Sequence, residues 1–360
     1  MKRLSNIIFI VERRRKMIID ANLYWFDESI FDNEQLLEQF LNEIPKQYGI
    51  YGYVKNQLNG KKQIVIEKPK GCQNLNYLQG EYQLERIIAD LDNAHIDQAI
   101  LKVPGCLEWM SLDMCKRFNQ GMYRYYKESN GRLIPLAVVP PIASQDVFEE
   151  IDHCINDYGF KGVQLSAHYG DKYLDDEIFE SFFDKLDSLH TTVYVHHTPL
   201  PVEYNDLLDY DNLRRSYGRC VDQMIAVCRE IFSDFFEKHT HLKFVHSMLG
   251  GGFFTYVNML MPQSSKKDTV SRFNMDHHLA KKHLDENIYF EMSHSQPWGK
   301  EQLECAIKVL GSSNIIWGSS YPVREEWLSQ GPDFVQNLDL DEKQKQDILS
   351  LTAKKVYGID

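Results

Sequence analysis

Met17-Ile18-Ile19-Asp20-Ala21-Asn22-Leu23-Tyr24 opens the part of the chain that reads as folded, and its interpretation decides between two architectures. A short apolar run ending in polar residues is a strand entering a core. In a doubly wound open sheet such a first strand usually leads into a glycine-rich turn against which a phosphate can lie. Ile18 to Asn22 contains no glycine. The stretch therefore favours the first strand of a TIM-like (β/α)8 barrel within the α/β class.

Seven further runs rich in Val, Ile and Leu follow at Ile96–Val103, Leu133–Val139, Gly162–Ser166, Thr192–His197, Leu242–Met248, Ile288–Met292 and Asn314–Gly318. Their weak polar alternation is what strands covered on both faces show. Segments of helical period alternate with them: Leu84–Asn93, Leu112–Lys127, Gln145–Asp157, Ile178–Ser188, Asp211–Glu237, Gly252–Met261 and Lys300–Leu310. One insertion, over about 48–79, breaks the alternation after the first strand and a helix at Asn33–Glu43. Within it, Gly52–Leu58 and Lys61–Lys68 flank Asn59-Gly60, a pair suited to a type I′ hairpin turn. A hairpin there would lie over the end of the barrel that carries active sites, as a lid, a dimer contact or a neutral surface loop.

Composition narrows the function classes. Forty Lys+Arg against 52 Asp+Glu give a net charge of −12, which argues against a partner held by bulk attraction to nucleic acid or anionic lipid. A 43% hydrophobic fraction suits a large core and excludes intrinsic disorder. The seven cysteines are scattered, with no C-x-x-C pair, and read as reduced thiols in a cytoplasm. No apolar run reaches the ~18 residues that span a bilayer. Residues 1–16 place Arg13, Arg14, Arg15 and Lys16 after the apolar stretch Ile7–Val11, the reverse of a secretory signal, and read as a disordered leader or an upstream start. A single domain over 17–360 is expected.

Chemistry in such a barrel gathers where strands meet the following loops. Those junctions hold Asp20, Asn22, Tyr24, His196, His197, His246, Met248, His294 and Ser319-Ser320-Tyr321-Pro322. His153, His190, His239, His241 and His283 fall elsewhere and read as packed or solvated. Asp276-His277-His278 has the look of a metal motif, but adjacent helical residues point to different faces.

The chain resembles the amidohydrolase superfamily, in the amidohydrolase-2 branch that holds aminocarboxymuconate semialdehyde decarboxylase and the dihydroxybenzoate decarboxylases. The resembling stretches are Met17-Ile-Ile-Asp20, Gly159-Phe-Lys-Gly-Val-Gln-Leu165, Tyr173-Leu-Asp-Asp176, Val193-Tyr-Val-His196, Gly250-Gly-Gly252, Gly318-Ser-Ser-Tyr-Pro322 and the tail from Ile348 to Ile359. The resemblance implies a metal-dependent-hydrolase barrel in which a His-x-His pair on the first strand, a histidine ending the fifth and an aspartate ending the eighth hold a divalent cation. This chain has Asn22 and Tyr24 in place of the pair and Ser320 in place of the aspartate; only His196 stands at a ligand position. On the sixth strand Met248 takes the place of the family's catalytic histidine. His246, two residues earlier and on the same strand face, is expected to present an imidazole one layer deeper.

These departures predict a degenerate site without a tightly bound metal, because an amide, a hydroxyl and a neutral phenol are poor zinc ligands. One divalent cation, zinc or a weakly held calcium or magnesium, is the alternative. His196 is expected as general acid/base, Tyr24 and Asn22 as donors, Ser320 as a conceivable nucleophile and His246 as a further candidate. A carboxylate substrate calls for arginine, and Arg324 together with Arg214 or Arg215 are the candidate clamps. His294, Trp298 and Met248 would line the pocket. The expected activity is that of a hydrolase or carboxy-lyase on a small cyclic or unsaturated carboxylate. Metal-free catalysis has a precedent in the resembling pyrone dicarboxylate lactonases. The alternatives are a noncatalytic metabolite-binding barrel and a zinc enzyme with displaced ligands. A homodimer or higher homo-oligomer is expected by resemblance and base rate.

Overall fold

The computed structural model describes residues 16–45, 49–208, 210, 212–261, 275–293 and 295–360. Apart from Lys16, the expected leader lies outside the described residues, as does His294.

The molecule is mixed α/β. Strands β1 (Ile19–Tyr24), β2 (Tyr51–Asn56), β3 (Lys62–Glu67), β4 (Gln73–Leu78), β5 (Gln98–Lys102), β6 (Leu133–Pro135), β7 (Ala137–Val138) and β8 (Val163–Ser166) come first. A short antiparallel pair, β9 (His168–Tyr169) and β10 (Lys172–Tyr173), is followed by β11 (Thr192–His196), β12 (Lys243–His246), β13 (Ile288–Glu291) and β14 (Ile315–Ile316). Parallel pairing gives one sheet of order β1-β5-β6 and another of order β14-β13-β12-β11-β8-β7. Only Leu136 separates β6 from β7. Its N–H donates to Leu101 O at 3.1 Å and the next N–H, of Ala137, to Gly162 O at 2.9 Å, which hands the chain from one sheet to the other. At the opposite margin Ala21 N–H donates to Trp317 O at 3.0 Å and Leu23 bridges Tyr321, so the last strand lies beside the first.

Side-chain alternation sorts the buried residues into two clusters. Ala99, Leu101, Val193, Val195, Phe244, Ile288 and Phe290 pack with the helices. Their neighbours Ile100, Tyr194, Val245, Tyr289 and Ile316 gather on the other strand face with Ile19, Ala21, Ile134 and Leu136. Ala353, Val356 and Tyr357 of the helix Thr352–Tyr357 complete this smaller cluster, and Thr192 Oγ1 fixes that helix by donating to Val356 O at 2.7 Å. Two of the helices, Leu112–Glu128 and Gln145–Asp152, start at serine caps: Ser111 accepts from Met114 N and Ser144 from Val147 N.

Three expectations change. The region read as a hairpin is a three-stranded antiparallel sheet, β2-β3-β4. Its first turn is a three-residue loop, Leu58-Asn59-Gly60, closed by Gln57 N–H to Lys61 O at 2.8 Å. Only Gly60 adopts positive φ (81°), whereas a type I′ turn needs two such residues. The helix expected over Asp211–Glu237 is Gly218–Phe232, entered through a wider turn at Leu213–Tyr217 and followed by a separate turn at Phe235–Lys238.

The third change lies at the end of β12, which stops at His246. Met248, Leu249, Gly250, Gly251 and Gly252 then run left-handed, with φ of 53°, 51°, 57°, 67° and 85°. Glycine is required here for space as well as for conformation: a Cβ on Gly251 would stand 1.8 Å from the carbonyl oxygen of Cys220 in the helix Gly218–Phe232. Once the strand ends, alternation no longer relates His246 to Met248.

Candidate functional site

The strand face that is apolar at Ile100, Tyr194 and Tyr289 becomes polar two residues further along. Lys102 follows Ile100, His196 follows Tyr194 and Glu291 follows Tyr289, at the C-terminal ends of β5, β11 and β13. On β1 the pairing register with β5 slips between Asp20 and Leu23, which turns both Asn22 and Tyr24 toward the same polar layer.

Within that layer Asn22 Nδ2 donates to Ser320 Oγ at 3.0 Å and to Glu291 Oε2 at 3.1 Å. Tyr194 donates its hydroxyl to the same carboxylate oxygen at 3.0 Å. Ser320 holds a left-handed conformation (φ 63°), and its N–H donates to Asn22 O at 2.8 Å, tying the segment after β14 to β1. Gly318 permits this closure, since a Cβ there would lie 2.3 Å from Glu291 Oε1 and 2.6 Å from Asn22 Cβ.

Tyr24 and His196 form the upper part of the cluster. The tyrosine hydroxyl stands 3.0 Å from His196 Nε2, and His196 Nδ1 stands 2.6 Å from the His197 carbonyl oxygen. A carbonyl only accepts, so Nδ1 carries a proton; in the neutral ring Nε2 is then the acceptor and Tyr24 the donor. Burial, and next the Glu291 carboxylate, push the Tyr24 hydroxyl well above the usual phenol range, which keeps it a donor.

Beneath them lies a group of buried charges. Lys102 is fully buried, donates from Nζ to Ala21 O at 2.7 Å and sits 3.1 Å from the centroid of the Tyr194 ring. Burial lowers its pKa to about 7, while Glu291 and Asp20 pull it upward. Burial raises Glu291 to about 7 as well, against the lowering influence of Lys102, Ser293 and Tyr194. Asp20, also raised by burial, accepts from Ser319 through both its N–H and its hydroxyl.

A cavity of about 300 Å³ opens above the cluster. Tyr24, His196 and His197 are at one side of it; Asn74, Asn76 and Tyr77 of β4 at another; Arg215 and Arg219 complete a polar wall. Arg219 Nη2 donates to Asn74 Oδ1 at 3.2 Å and its Nε has no hydrogen-bond partner among the described residues. Burial, and next Arg215, lower the pKa of Arg219 to about 10, so it stays cationic at neutral pH.

The structure thus brings Asn22, Tyr24, His196 and Ser320 together and places other expected residues elsewhere. His246 points away: its ring nitrogens face Gln223 Oε1 at 3.1 Å and Glu230 Oε2 at 2.6 Å on the helix Gly218–Phe232, so the expectation of an inward imidazole one layer deeper fails. Arg324 is a surface residue, 62% exposed and 3.4 Å from Glu326. Arg214 is buried but donates to Gln73 O at 3.3 Å; its neighbour Arg215 reaches the cavity instead. Trp298 packs edge-on against Phe254, and Met248 donates its N–H to Ser293 Oγ at 3.2 Å; neither lines this cavity. Lys102, Glu291 and Arg219 escaped the sequence reading. A lysine and a glutamate, each next to the end of a mainly apolar run, were the available signal for the first two.

Among the described residues no three or more of His, Cys, Asp and Glu converge as a metal centre, and no helix is long and apolar enough to cross a membrane.

Comparison with known proteins agrees with the resemblance read from the sequence. The chain is 23% identical over 254 residues to the 2-amino-3-carboxymuconate-6-semialdehyde decarboxylase of Dictyostelium discoideum, covering 69% of this chain and 68% of that protein. It is 20% identical over 262 residues to the gamma-resorcylate decarboxylase of Rhizobium sp. (strain MTP-10005), covering 69% and 77%. Among solved structures, the 5-carboxyvanillate decarboxylase from Sphingomonas paucimobilis superposes with a TM-score of 0.75 at 16% identity, covering 96% of this chain and all (100%) of that one. The manganese-bound 5-carboxyvanillate decarboxylase from Novosphingobium aromaticivorans gives 0.73 at 19% identity, covering 95% and 96%. The sequence profile of the family described as Amidohydrolase matches residues 108–359, well over half of the chain, and the protein belongs to that family.

Proposed function

We propose that this protein is a carboxy-lyase built on a closed (β/α)8 barrel, acting on a small cyclic or aromatic carboxylate, with Tyr24 and His196 as its proton-transfer pair. The observation that carries the reading is their 3.0 Å hydrogen bond at the edge of a cavity walled by Arg215 and Arg219. The decarboxylase names of the relatives favour loss of CO2 over hydrolysis. Ser320 Oγ is held by the Asn22 amide, which gives little support to a nucleophilic serine.

In this reading a guanidinium binds the carboxylate through charge-assisted hydrogen bonds. Protonated His196 donates from Nε2 to the Tyr24 oxygen, which frees the phenol proton to turn into the cavity. That proton goes to the carbon bearing the carboxylate; the bond to the carboxyl carbon then breaks, its electron pair returns to the ring and CO2 leaves. A cavity of about 300 Å³ suits a single substituted ring. The asparagines of β4 would select among ring substituents.

The residues present do not fit a divalent cation such as the manganese of the Novosphingobium relative. Asn22 turns its amide N–H2 toward the carboxylate and the serine, His196 Nε2 is engaged by Tyr24, and a lysine occupies the layer below.

The test is CO2 release from 2,6-dihydroxybenzoate, 5-carboxyvanillate and related ring carboxylates by the wild type, Tyr24→Phe and His196→Ala. Turnover that both substitutions suppress supports the proposal. Turnover unchanged in both variants, or none with any ring carboxylate, overturns it.

A further inference from the structure

A lysine that is fully buried among strands normally costs several kcal/mol unless something on the spot repays it. Lys102 has four such partners. Its Nζ donates to Ala21 O at 2.7 Å, it lies 3.1 Å from the centroid of the Tyr194 ring, and two buried carboxylates, Glu291 and Asp20, act on it electrostatically. The ring contact favours the ammonium over the neutral amine. The same Tyr194 donates to Glu291 Oε2, the oxygen that also takes the Asn22 amide. Charge at Lys102 is therefore relayed through Glu291 to the amide that neighbours Tyr24 on β1.

We infer that Lys102 is the resident cation of this site: its ammonium balances Glu291 and Asp20 and thereby holds Asn22 in place, the electrostatic work a bound divalent ion would otherwise do. Lys102 is a positioning residue, since it is sealed from the cavity and touches no substrate. The inference rests on the reading of Asn22, Tyr24 and His196 as the working end of the cavity. It makes a demand that a purely structural lysine would not. With the ammonium removed, the two buried carboxylates are left without a counter-charge, and the site should gain affinity for a divalent ion.

The experiment is manganese uptake by the resting protein at neutral pH, measured by equilibrium dialysis and by electron paramagnetic resonance of free Mn2+. The wild type and Lys102→Arg should bind no stoichiometric manganese. Lys102→Gln, which keeps a donor for Ala21 O, and Lys102→Met should bind at least about tenfold more tightly than the wild type, the effect of one uncompensated charge. Uptake should vanish again in Lys102→Gln/Glu291→Gln. Circular dichroism and a thermal melt show that each variant is folded. Stoichiometric uptake by the wild type overturns the inference, as does failure of both folded neutral variants to bind. No substrate is present, so the outcome is independent of whether the wild type proves to be a decarboxylase.

Discussion

Two layers of the same strands differ by two residues and by nearly everything else. Ile100, Tyr194 and Tyr289 form an apolar plug closed by the helix Thr352–Tyr357, whereas two residues further along the same strands Lys102 and Glu291 are buried ionisable groups and His196 reaches the cavity. The lower layer follows the rule that burial of apolar surface stabilises at about 25 cal/mol per Å². The upper layer breaks it, because each buried ion costs free energy that its partners return only in part. On the function proposed above, the contrast teaches that this fold keeps stability and chemistry apart by position along a strand. Substitutions in the two layers should therefore fail in different ways.

The sharpest separation comes from His196→Ala. Turnover should fall by about 10²–10⁴, the usual worth of a general acid/base, while the urea midpoint moves little. A variant that unfolds easily but keeps its turnover per folded molecule would place His196 with the plug. Ile100→Ala should do the opposite. We expect about 2–5 kcal/mol of lost stability in urea unfolding, with kcat of the folded fraction unchanged.

A pH series tests the two buried ionisable groups themselves. Glu291 holds its proton up to about 7 when folded, against an ordinary 4.5, so its contribution to stability is full below 4.5 and lost as pH rises through 7. Lys102 is lowered from 10.5 to about 7, so the unfolded chain holds the extra proton between those values and stability climbs with pH across that window. Together they dig a shallow minimum near neutrality. Lys102→Met/Glu291→Gln should flatten it and raise stability at neutral pH by about 1–4 kcal/mol while impairing turnover. A curve with the same minimum in the double variant would show that the dip has another source.

Smaller effects separate the arginines. Arg219→Met should raise KM for a ring carboxylate by about 10- to 100-fold, the loss of one charge-assisted interaction. Arg324→Ala, on the surface, should change stability by less than about 0.5 kcal/mol and leave KM alone. The reverse result would reinstate Arg324 as the clamp.

Much of the strand order could be read from the amino-acid sequence because runs such as Thr192-Val193-Tyr194-Val195 leave few other ways to bury β-branched side chains. Strand ends could not. The inward reading of His246 assumed alternation through Met248, but the left-handed turn after Ser247 cancels it, and the crowding against Cys220 that demands glycine at position 251 exists only in three dimensions. Strand β4, Gln73-Asn-Leu-Asn-Tyr-Leu78, hides because asparagine is a weak strand former; its pairing with β3 decides the matter. Arg219 hides inside a helical period, and its reach toward Asn74 depends on a sheet more than a hundred residues earlier in the chain. Asn22, Tyr24, His196 and Ser320 were legible because they follow apolar runs directly. Lys102 and Glu291 sit within the runs, where polarity is easily read as noise.

The missing side chain at Gly251 also bears on one wall of the cavity. It lets the loop that follows β12 settle almost onto the backbone of the helix Gly218–Phe232, the helix that carries Arg219 to the cavity. Even a methyl group at that point would force the loop and the helix apart. A residue outside the lining of that cavity thus fixes the seat of one of its walls.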